Sequence, residues 1–312
     1  MIINIPTEKD FYLEAENLIN SAWNILIRLL EDCSNYKELD INDSELEKYW
    51  LSAKSELTLA MSLVQHSVEF YLKSKILAIS PYLLISSEPR FWPKQCDKKD
   101  ICFSDFRTLD AQDLLKVHNA FSTMRLSDDF SDWFNSMRTM RNKIMHTVDA
   151  ALSIKPSKLA EDILKGHGYL VGDNSWINSR VAYLKRSPLH IIEIPDSDGT
   201  DSYIYMAIHK EISLTIDELS STAVKQYLRY DKMKDAEECV NCHSLFMRDE
   251  FFDSKWTDDL IPTMQNIDAN SKDLECVICG SKAEYLDKEC GDCGRSLIGK
   301  DSNKCMYCRL YE

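Results

Sequence analysis

The amino-acid sequence predicts a mainly α-helical fold, followed by a small β-hairpin and helix segment and a cysteine-rich C-terminal module. Three observations carry this prediction. Apolar residues recur at helical spacing up to residue 187, β-branched and aromatic runs follow Pro188, and eight of the eleven cysteines lie between residues 239 and 308. The chain has 312 residues, of which 44% are hydrophobic, so it can form a packed core and one or two accessory domains.

Six helices are predicted in the N-terminal part. The first covers residues 8–32 and has an apolar face of Phe11, Ala15, Leu18, Ala22, Leu26 and Leu29. A long helix follows over residues 44–80, where Ser44 and Glu47 match a capping box and Pro81 ends the helix. The other four are predicted at residues 109–122, 127–148, 157–170 and 174–186. Their separate apolar stripes favour a helical bundle.

The residue pattern changes after Pro188, and we predict three domains. Residues 1–187 form the helical domain. Residues 188–230 form a β-hairpin, with strands HIIEI and YIYMAIH joined by PDSDGTDS, and a connecting helix near 216–230. Residues 231–312 form the cysteine-rich module.

Charge is distributed unevenly over these domains. The net charge is −14, which disfavours a general nucleic-acid coat, because phosphate binding depends on lysine and arginine. Residues 1–187 carry 23 basic and 26 acidic side chains, residues 188–230 carry 3 and 7, and residues 231–312 carry 11 and 18. Any nucleic-acid chemistry is therefore expected in the nearly balanced helical domain.

Membrane and secretory features are not predicted. Lys73 and Lys75 interrupt the most apolar stretch, so no window of eighteen uncharged apolar residues occurs. The first residues, MIINIPTEKDF, already contain acidic side chains and lack a signal-peptide pattern. We therefore expect a cytoplasmic protein without a membrane partner.

The cysteine-rich module contains four Cys-x-x-Cys pairs, which are Cys239 and Cys242, Cys276 and Cys279, Cys290 and Cys293, and Cys305 and Cys308. In a reducing compartment such pairs bind metal. Because structural Zn²⁺ prefers four thiolates, four pairs predict two zinc ions without a catalytic role. Redox-active Cys-x-x-Cys is the alternative, but it needs a thioredoxin-like βαβ setting that this region lacks.

The sequence alone does not determine which Cys-x-x-Cys pairs share a metal ion. The simplest arrangement places the first four on one ion and the last four on the other. The short gap within CVICGSKAEYLDKECGDCG allows the middle two pairs to share an ion instead. Four thiolates leave a net charge of about −2 at each zinc site. The module resembles a double zinc ribbon, and its acidity favours docking of a partner protein over nucleic-acid binding.

The motif with the clearest chemistry is RNKIMH, from Arg141 to His146. On a helix, Arg141 shares a face with the apolar residues Met137, Ile144 and Met145. A guanidinium there is unfavourable unless a partner, ligand or second subunit engages it. His146 lies about 140° further around the helix. A helix irregularity or a neighbouring subunit would have to bring the two side chains together.

These residue types suit metal-independent cleavage of RNA. A neutral imidazole can take a proton from a ribose 2′-OH or return one to the leaving 5′-oxygen. A guanidinium beside it would stabilise charge on the pentavalent phosphate. The alternative is a core histidine bonded to the backbone and an arginine in a structural ion pair, and the local pattern does not decide between them.

The helical region resembles the HEPN domain, a family whose ribonuclease members carry an arginine, then a polar residue, then a histidine four to six positions after the arginine. Arg141, Asn142 and His146 match this motif, and HSVEFYLKSKIL resembles the family's second helix. DILKGHGYL and SWINSRVAYL resemble its tail, so the resemblance covers residues 1–187. It implies a homodimer in which two Arg/His helices face each other and form one composite ribonuclease site. It also implies a toxin or an anti-phage defence effector.

We therefore expect a homodimeric endoribonuclease that leaves a 2′,3′-cyclic phosphate. His146 would be the general acid and base, Arg141 would clamp the phosphate, and Asn142 would orient the histidine or contact RNA. The zinc module would bind an inhibitor, an activator or a phage protein. The alternative is a non-enzymatic HEPN-like scaffold that binds nucleotide or RNA, and zinc-ribbon DNA binding is disfavoured by the acidic charge.

Three further residues could line the same cleft. His66, Glu69 and Lys73 share the polar side of the long helix. A solvated helix face with a Glu69–Lys73 pair is the favoured interpretation of these residues.

Overall fold

The structure of the protein is a computed structural model that describes residues 1–37, 42–86, 88–146, 153–188, 202–247, 261–266, 273–285, 290–292, 294, 297–298, 305 and 308. The described residues are mainly helical, which confirms the fold class at that level. They form two compact units, Met1–Asp173 and Asn174–Glu312. No described helix is both long enough and apolar enough to cross a membrane.

The described part of the first unit contains six α-helices, which are α1 (Glu8–Lys37), α2 (Asp43–Ser52), α3 (Lys54–Ile79), α4 (Ala111–Phe121), α5 (Asp128–His146) and α6 (Pro156–Leu170). Short 3-10 turns lie at Pro81–Leu84, Pro89–Phe91 and Phe103–Asp105. Two short strands, β1 (Ile2–Ile3) and β2 (Ile101–Cys102), pair in parallel.

Helices α1 and α3 form the centre of this unit and run antiparallel. The hydroxyl of Ser67 donates a 2.7 Å hydrogen bond to the carbonyl oxygen of Ala15, and that of Ser74 donates a 2.8 Å bond to the carbonyl oxygen of Glu8. Small residues at these points let the two backbones approach closely. The core around them consists of large, fully buried side chains, among them Trp23, Leu26, Leu57, Met61, Tyr71, Leu72 and Ile76.

The predicted helix over residues 44–80 is two helices, and its capping box lies elsewhere. Asn42 is the N-cap of α2, and its side chain accepts a 3.2 Å bond from the backbone N–H of Glu45. The Glu45 carboxylate accepts a 3.1 Å bond from the backbone N–H of Asn42. The prediction that Ser44 and Glu47 form the capping box is therefore wrong. Asparagine is a strong N-cap, and it places Ser44 inside the first turn.

Helix α6 approaches α5 closely at a glycine. A Cβ atom at Gly166 would lie only 2.8 Å from Cη2 of Trp133. The indole N–H of Trp133 donates a 2.9 Å hydrogen bond to Oδ1 of the buried Asp162, which holds the ring in place. The ring therefore cannot move aside freely.

Replacing Gly166 with alanine is expected to lower the free energy of unfolding by about 1–3 kcal/mol, because the added methyl group overpacks the contact with Trp133. Gly168→Ala in the same helix is the matched control, since its Cβ would meet only the flexible Asp173 carboxylate, at 3.4 Å. We expect that variant to be neutral or stabilised by up to about 1 kcal/mol. Urea denaturation of both variants measures the difference, and equal stabilities would contradict the packing argument.

The described part of the second unit contains four helices, which are α7 (Trp176–Leu184), α8 (Ser202–Glu218), α9 (Ser221–Leu228) and α10 (Val240–Met247). It also contains four strands, which are β3 (Met264–Asn266), β4 (Asp273–Cys276), β5 (Lys282–Tyr285) and β6 (Leu297–Ile298). The strands form an antiparallel sheet in the order β3-β4-β5-β6.

The predicted hairpin strand YIYMAIH, residues 203–209, is wrong, because these residues belong to helix α8. Ile204, Ile208 and Ile212 are all fully buried, and their spacing of four residues is helical. The short β-branched run hid this period, which only emerges over the longer segment that includes Ile212. The other predicted strand, HIIEI, lies outside the described residues.

Helices α7 and α8 are joined by a buried ion pair. The guanidinium of Arg180 donates bonds of 2.9 and 2.7 Å to the two carboxylate oxygens of Glu211. Both side chains are buried, and the bidentate geometry compensates for their loss of hydration. Helix α7 is thereby held within the unit that begins at Asn174.

Candidate functional site

Helix α5 leaves the core before it reaches the predicted catalytic residues. Its buried face consists of Phe130, Trp133, Phe134 and Met137. Arg141, one turn beyond Met137, is exposed, and so is Asn142. Of the apolar residues predicted to share a face with Arg141, Met137 is buried and Ile144 is half-buried, while the side chain of Met145 lies outside the described residues. That a ligand or a second subunit engages Arg141 stays a prediction. The Arg141 guanidinium remains accessible to a ligand.

Arg141 and Asn142 line a polar cavity of about 560 Å³ within the first unit, which we call the basic cavity. Helix α5 also contributes Arg138, which lies almost one turn before Arg141. The remaining lining comes from α3, from the segment before α4 and from the first turn of α4. It consists of Gln65, Glu69, Lys73, Arg107, Thr108, Leu109, Asp110, Ala111 and Gln112.

Positive charge exceeds negative charge in this lining. Four cations face two carboxylates, and these groups are Lys73, Arg107, Arg138, Arg141, Glu69 and Asp110. The Arg107 guanidinium donates a 2.9 Å bond to Asp110, and Gln65 donates a hydrogen bond to Glu69. Partial burial lowers the pKa of Lys73, and the carboxylates of Glu69 and Asp110 oppose that shift. An excess of cations in a protein with a net charge of −14 suits a ligand that bears phosphate.

The basic cavity contains some of the predicted residues and others that sequence reasoning missed. Glu69 and Lys73 line it, as the less favoured interpretation of these residues expected. Arg138 could have been found from its helical spacing of three residues to Arg141. Arg107 carries no local signal, because only the tertiary fold brings it to α5. His146 ends α5 five residues after Arg141, and its side chain lies outside the described residues.

None of the other described histidines lines the basic cavity. His118, His167 and His209 are buried in the helical cores. Burial lowers the pKa of His209 to about 4, so this ring is neutral near pH 7. His66 is exposed and packs edge-on against the Phe70 ring.

A cluster of four cysteines lies in the second unit. The sulfur atoms of Cys239, Cys242, Cys276 and Cys279 all lie within 4.8 Å of one another. The Sγ atoms of Cys239 and Cys279 are 3.5 Å apart, and those of Cys242 and Cys276 are 3.9 Å apart. Tetrahedral coordination at a metal–sulfur distance of about 2.3 Å separates sulfurs by about 3.8 Å. The first cluster could therefore hold a metal ion with little movement.

Hydrogen-bond donors surround the sulfur atoms of this cluster. The backbone N–H of Cys242 points to Cys239 Sγ at 3.5 Å, and that of Cys279 points to Cys276 Sγ at 3.4 Å. The Ser281 hydroxyl lies 2.7 Å from Cys279 Sγ. Hydrogen bonding with the other thiols, with Cys239 first, lowers the pKa of Cys279 and raises the pKa of Cys242. Such donors around a thiolate group are the outer contacts that a metal centre needs.

A second cluster contains Cys290, Cys305 and Cys308, and the Sγ atoms of Cys290 and Cys308 are 3.5 Å apart. Cys293 lies outside the described residues. The grouping agrees with the simpler of the two predicted pairings, because the second and third Cys-x-x-Cys pairs fall in different clusters. Each cluster could hold one metal ion.

Comparison of the chain with protein-family models, with curated proteins and with solved structures gives no match. Function is therefore inferred from the residues and their geometry.

Proposed function

We propose that this protein is a metal-independent endoribonuclease that acts through Arg141, Asn142 and His146. The observation that carries the proposal is the basic cavity, where Arg138, Arg141 and Asn142 of α5 meet Lys73 of α3. These groups would bind the phosphates of a single RNA strand, which is flexible enough to place a ribose beside the end of α5.

Each catalytic residue has a distinct role in this proposal. His146 takes the proton from the ribose 2′-OH, and the 2′-oxygen then attacks the adjacent phosphorus. The guanidinium of Arg141 stabilises the charge that builds up on the phosphoryl oxygens. The bond to the 5′-oxygen breaks, the histidine returns a proton to that oxygen, and a 2′,3′-cyclic phosphate remains. Asn142 orients the imidazole or contacts the RNA.

The active form would be a homodimer of HEPN-like helical domains. Arg141 and His146 point about 140° apart on one straight helix, so a single copy does not easily direct both to one phosphate. Two copies with their α5 helices face to face would do so. The exposure of Arg141, Asn142 and Lys143 supports such a contact, because these side chains of α5 are accessible to a second chain.

The cysteine clusters would each bind a structural Zn²⁺ ion, which would hold the C-terminal module folded and leave the chemistry to the helical unit. Tetrahedral sulfur sites favour zinc among the common metals, and closed thiolate sites have no place for a reactive water. The acidic module would bind an inhibitor, an activator or a phage protein. A toxin or anti-phage effector in the cytoplasm would need such control over RNA cleavage.

The test is the chemistry of the RNA ends. The purified protein should cleave single-stranded RNA to products with a 2′,3′-cyclic phosphate, which acid hydrolysis and mass spectrometry identify. Addition of EDTA to the reaction should leave the rate unchanged, since no metal takes part in the chemistry. Tight RNA binding without any product would instead favour a non-enzymatic scaffold.

A further inference from the structure

A second cavity, of about 350 Å³, lies wholly within the second unit and is separate from the basic cavity. The start of α7, the end of α9 and the turn Val277–Gly280 between β4 and β5 form its walls. We call it the amide-lined cavity. Its volume lies in the range of small-molecule sites.

Three cations line this cavity in a unit that is otherwise acidic. Residues 174–312 carry 17 basic and 25 acidic side chains, yet Lys225, Arg229 and Lys234 all face the same space. Two carboxylates, Asp231 and Glu275, accompany them. Lys225 donates a 2.8 Å bond to Asp231, whereas Arg229 lies 3.7 Å from Glu275, beyond hydrogen-bond distance. Lys234 donates a 3.4 Å bond to the carbonyl oxygen of Asn266, so the ion pair of Arg229 with Glu275 is the longest of these contacts and the one that a phosphate could most readily replace.

The backbone at Arg229 is in a conformation that favours glycine. Its φ of 57° and ψ of 18° place it in the left-handed region, directly after the last residue of α9. Glycine is the usual residue at such a helix end, because a Cβ atom is strained there. Compared with glycine, an arginine at this position lowers the stability of the protein, but it provides a side chain that lines the cavity. Strained residues of this kind concentrate at ligand sites.

Carboxamides form another part of the lining. Asn174, Asn178 and Asn266 line the cavity, and within the described part of the chain their side-chain amides make no hydrogen bond to protein. Gln265 differs from them, because its side chain accepts a 2.7 Å bond from the backbone N–H of Asp231 and donates a 2.9 Å bond to the carbonyl of the same residue. Gln265 therefore shapes the wall, and the three asparagines remain available for a ligand.

The lining also contains apolar side chains, and two cysteines of the first cluster, Cys276 and Cys279, border it. It includes the buried side chains of Ile177, Tyr227, Leu228 and Ile278. The lining therefore offers a ligand apolar side chains, amide donors and acceptors, and cations. A nucleotide offers all three matching parts, because its base is flat and apolar on its faces, its base edges pair with carboxamides, and its phosphate is anionic.

We propose that the amide-lined cavity binds a nucleoside monophosphate, with Arg229 as the main phosphate contact and the asparagines at the base. The site is distinct from the proposed ribonuclease centre and does not depend on it. It would make the second unit a sensor of a small nucleotide.

The test is isothermal titration calorimetry of the full-length protein with AMP, GMP, CMP and UMP, each beside its nucleoside. We expect at least one nucleotide to bind with a sub-millimolar Kd and its nucleoside to bind at least about tenfold more weakly, because the nucleoside lacks the phosphate. Arg229→Gly should weaken nucleotide binding by a similar factor while it raises the melting temperature, since glycine relieves the backbone strain.

A control variant separates this site from a general effect of charge. Arg186→Ala removes an exposed cation of the same unit that does not line the cavity. It should bind the nucleotide like the wild type. The proposal is overturned if no nucleotide binds, if the nucleoside binds equally well, or if Arg229→Gly leaves the affinity unchanged.

Discussion

Replacement of His146 by alanine is expected to lower the rate of RNA cleavage by about 10²–10⁴-fold, the usual contribution of a general acid and base. The change truncates the last residue of α5, beyond the buried face that ends at Met137, so the fold should persist. The measurement is the initial rate of cleavage of a labelled single-stranded RNA, with far-ultraviolet circular dichroism of the same samples. Undiminished cleavage by a folded His146→Ala protein would remove the histidine from the mechanism.

Arg141→Ala is expected to reduce the rate by about 10²–10³-fold, because it removes the donor that stabilises the transition-state charge. Lys143→Ala is the matched control. It removes an equal charge from an exposed position of the same helix, but Lys143 does not line the basic cavity. That variant should retain nearly full activity. Equal losses in the two variants would indicate a general electrostatic effect.

Mixing the two inactive proteins tests the proposed dimer. If the guanidinium and the imidazole reach one phosphate from different copies, a heterodimer of Arg141→Ala and His146→Ala contains one intact site, and cleavage returns. If both groups act from the same copy, the mixture stays inactive. Subunit mass from light scattering, measured on the same samples, establishes whether heterodimers can form.

A helix could be predicted from the sequence where its apolar residues kept helical spacing over several turns. Helix α1 shows this well, because its apolar residues keep helical spacing over many turns. The segment YIYMAIH shows the opposite case, since its two tyrosines and two isoleucines favour a strand locally. Burial of Ile204, Ile208 and Ile212 on one face decided the outcome, and this is a tertiary effect that overrides local preference.

Some residues of the candidate sites also carry a local sequence signal, and others do not. Arg141 and Asn142 were found from a local motif, and the cysteines were found from their own spacing. Arg107 could not be found, because it enters the basic cavity from a segment more than thirty residues before Arg141. The grouping of cysteines was also open, since chain gaps limit pairing without selecting it. The fold selects it by bringing Cys239 and Cys279 to 3.5 Å.

Cysteine replacement should produce the largest loss of stability. Full-length wild-type protein is expected to contain two zinc ions per chain, as measured by inductively coupled plasma mass spectrometry after gel filtration. Cys242→Ser should contain one, because serine is a poor zinc ligand and the three remaining thiolates do not close a tetrahedral site. Cys96→Ser is the control, since Cys96 belongs to neither cluster, and it should retain both ions.

The loss of that ion should unfold the second unit. Zinc binding to closed thiolate sites contributes about 10–16 kcal/mol, which is as much as the total stability of a typical domain, about 5–15 kcal/mol. Limited proteolysis of Cys242→Ser should therefore cut within residues 174–312 and spare the helical unit, whose core around α1 and α3 contains no cluster cysteine. Low pH should also unfold the second unit, because protonation of the thiolates releases the metal. A Cys242→Ser protein that retains two ions and resists protease like the wild type would show that the cluster is not a metal site.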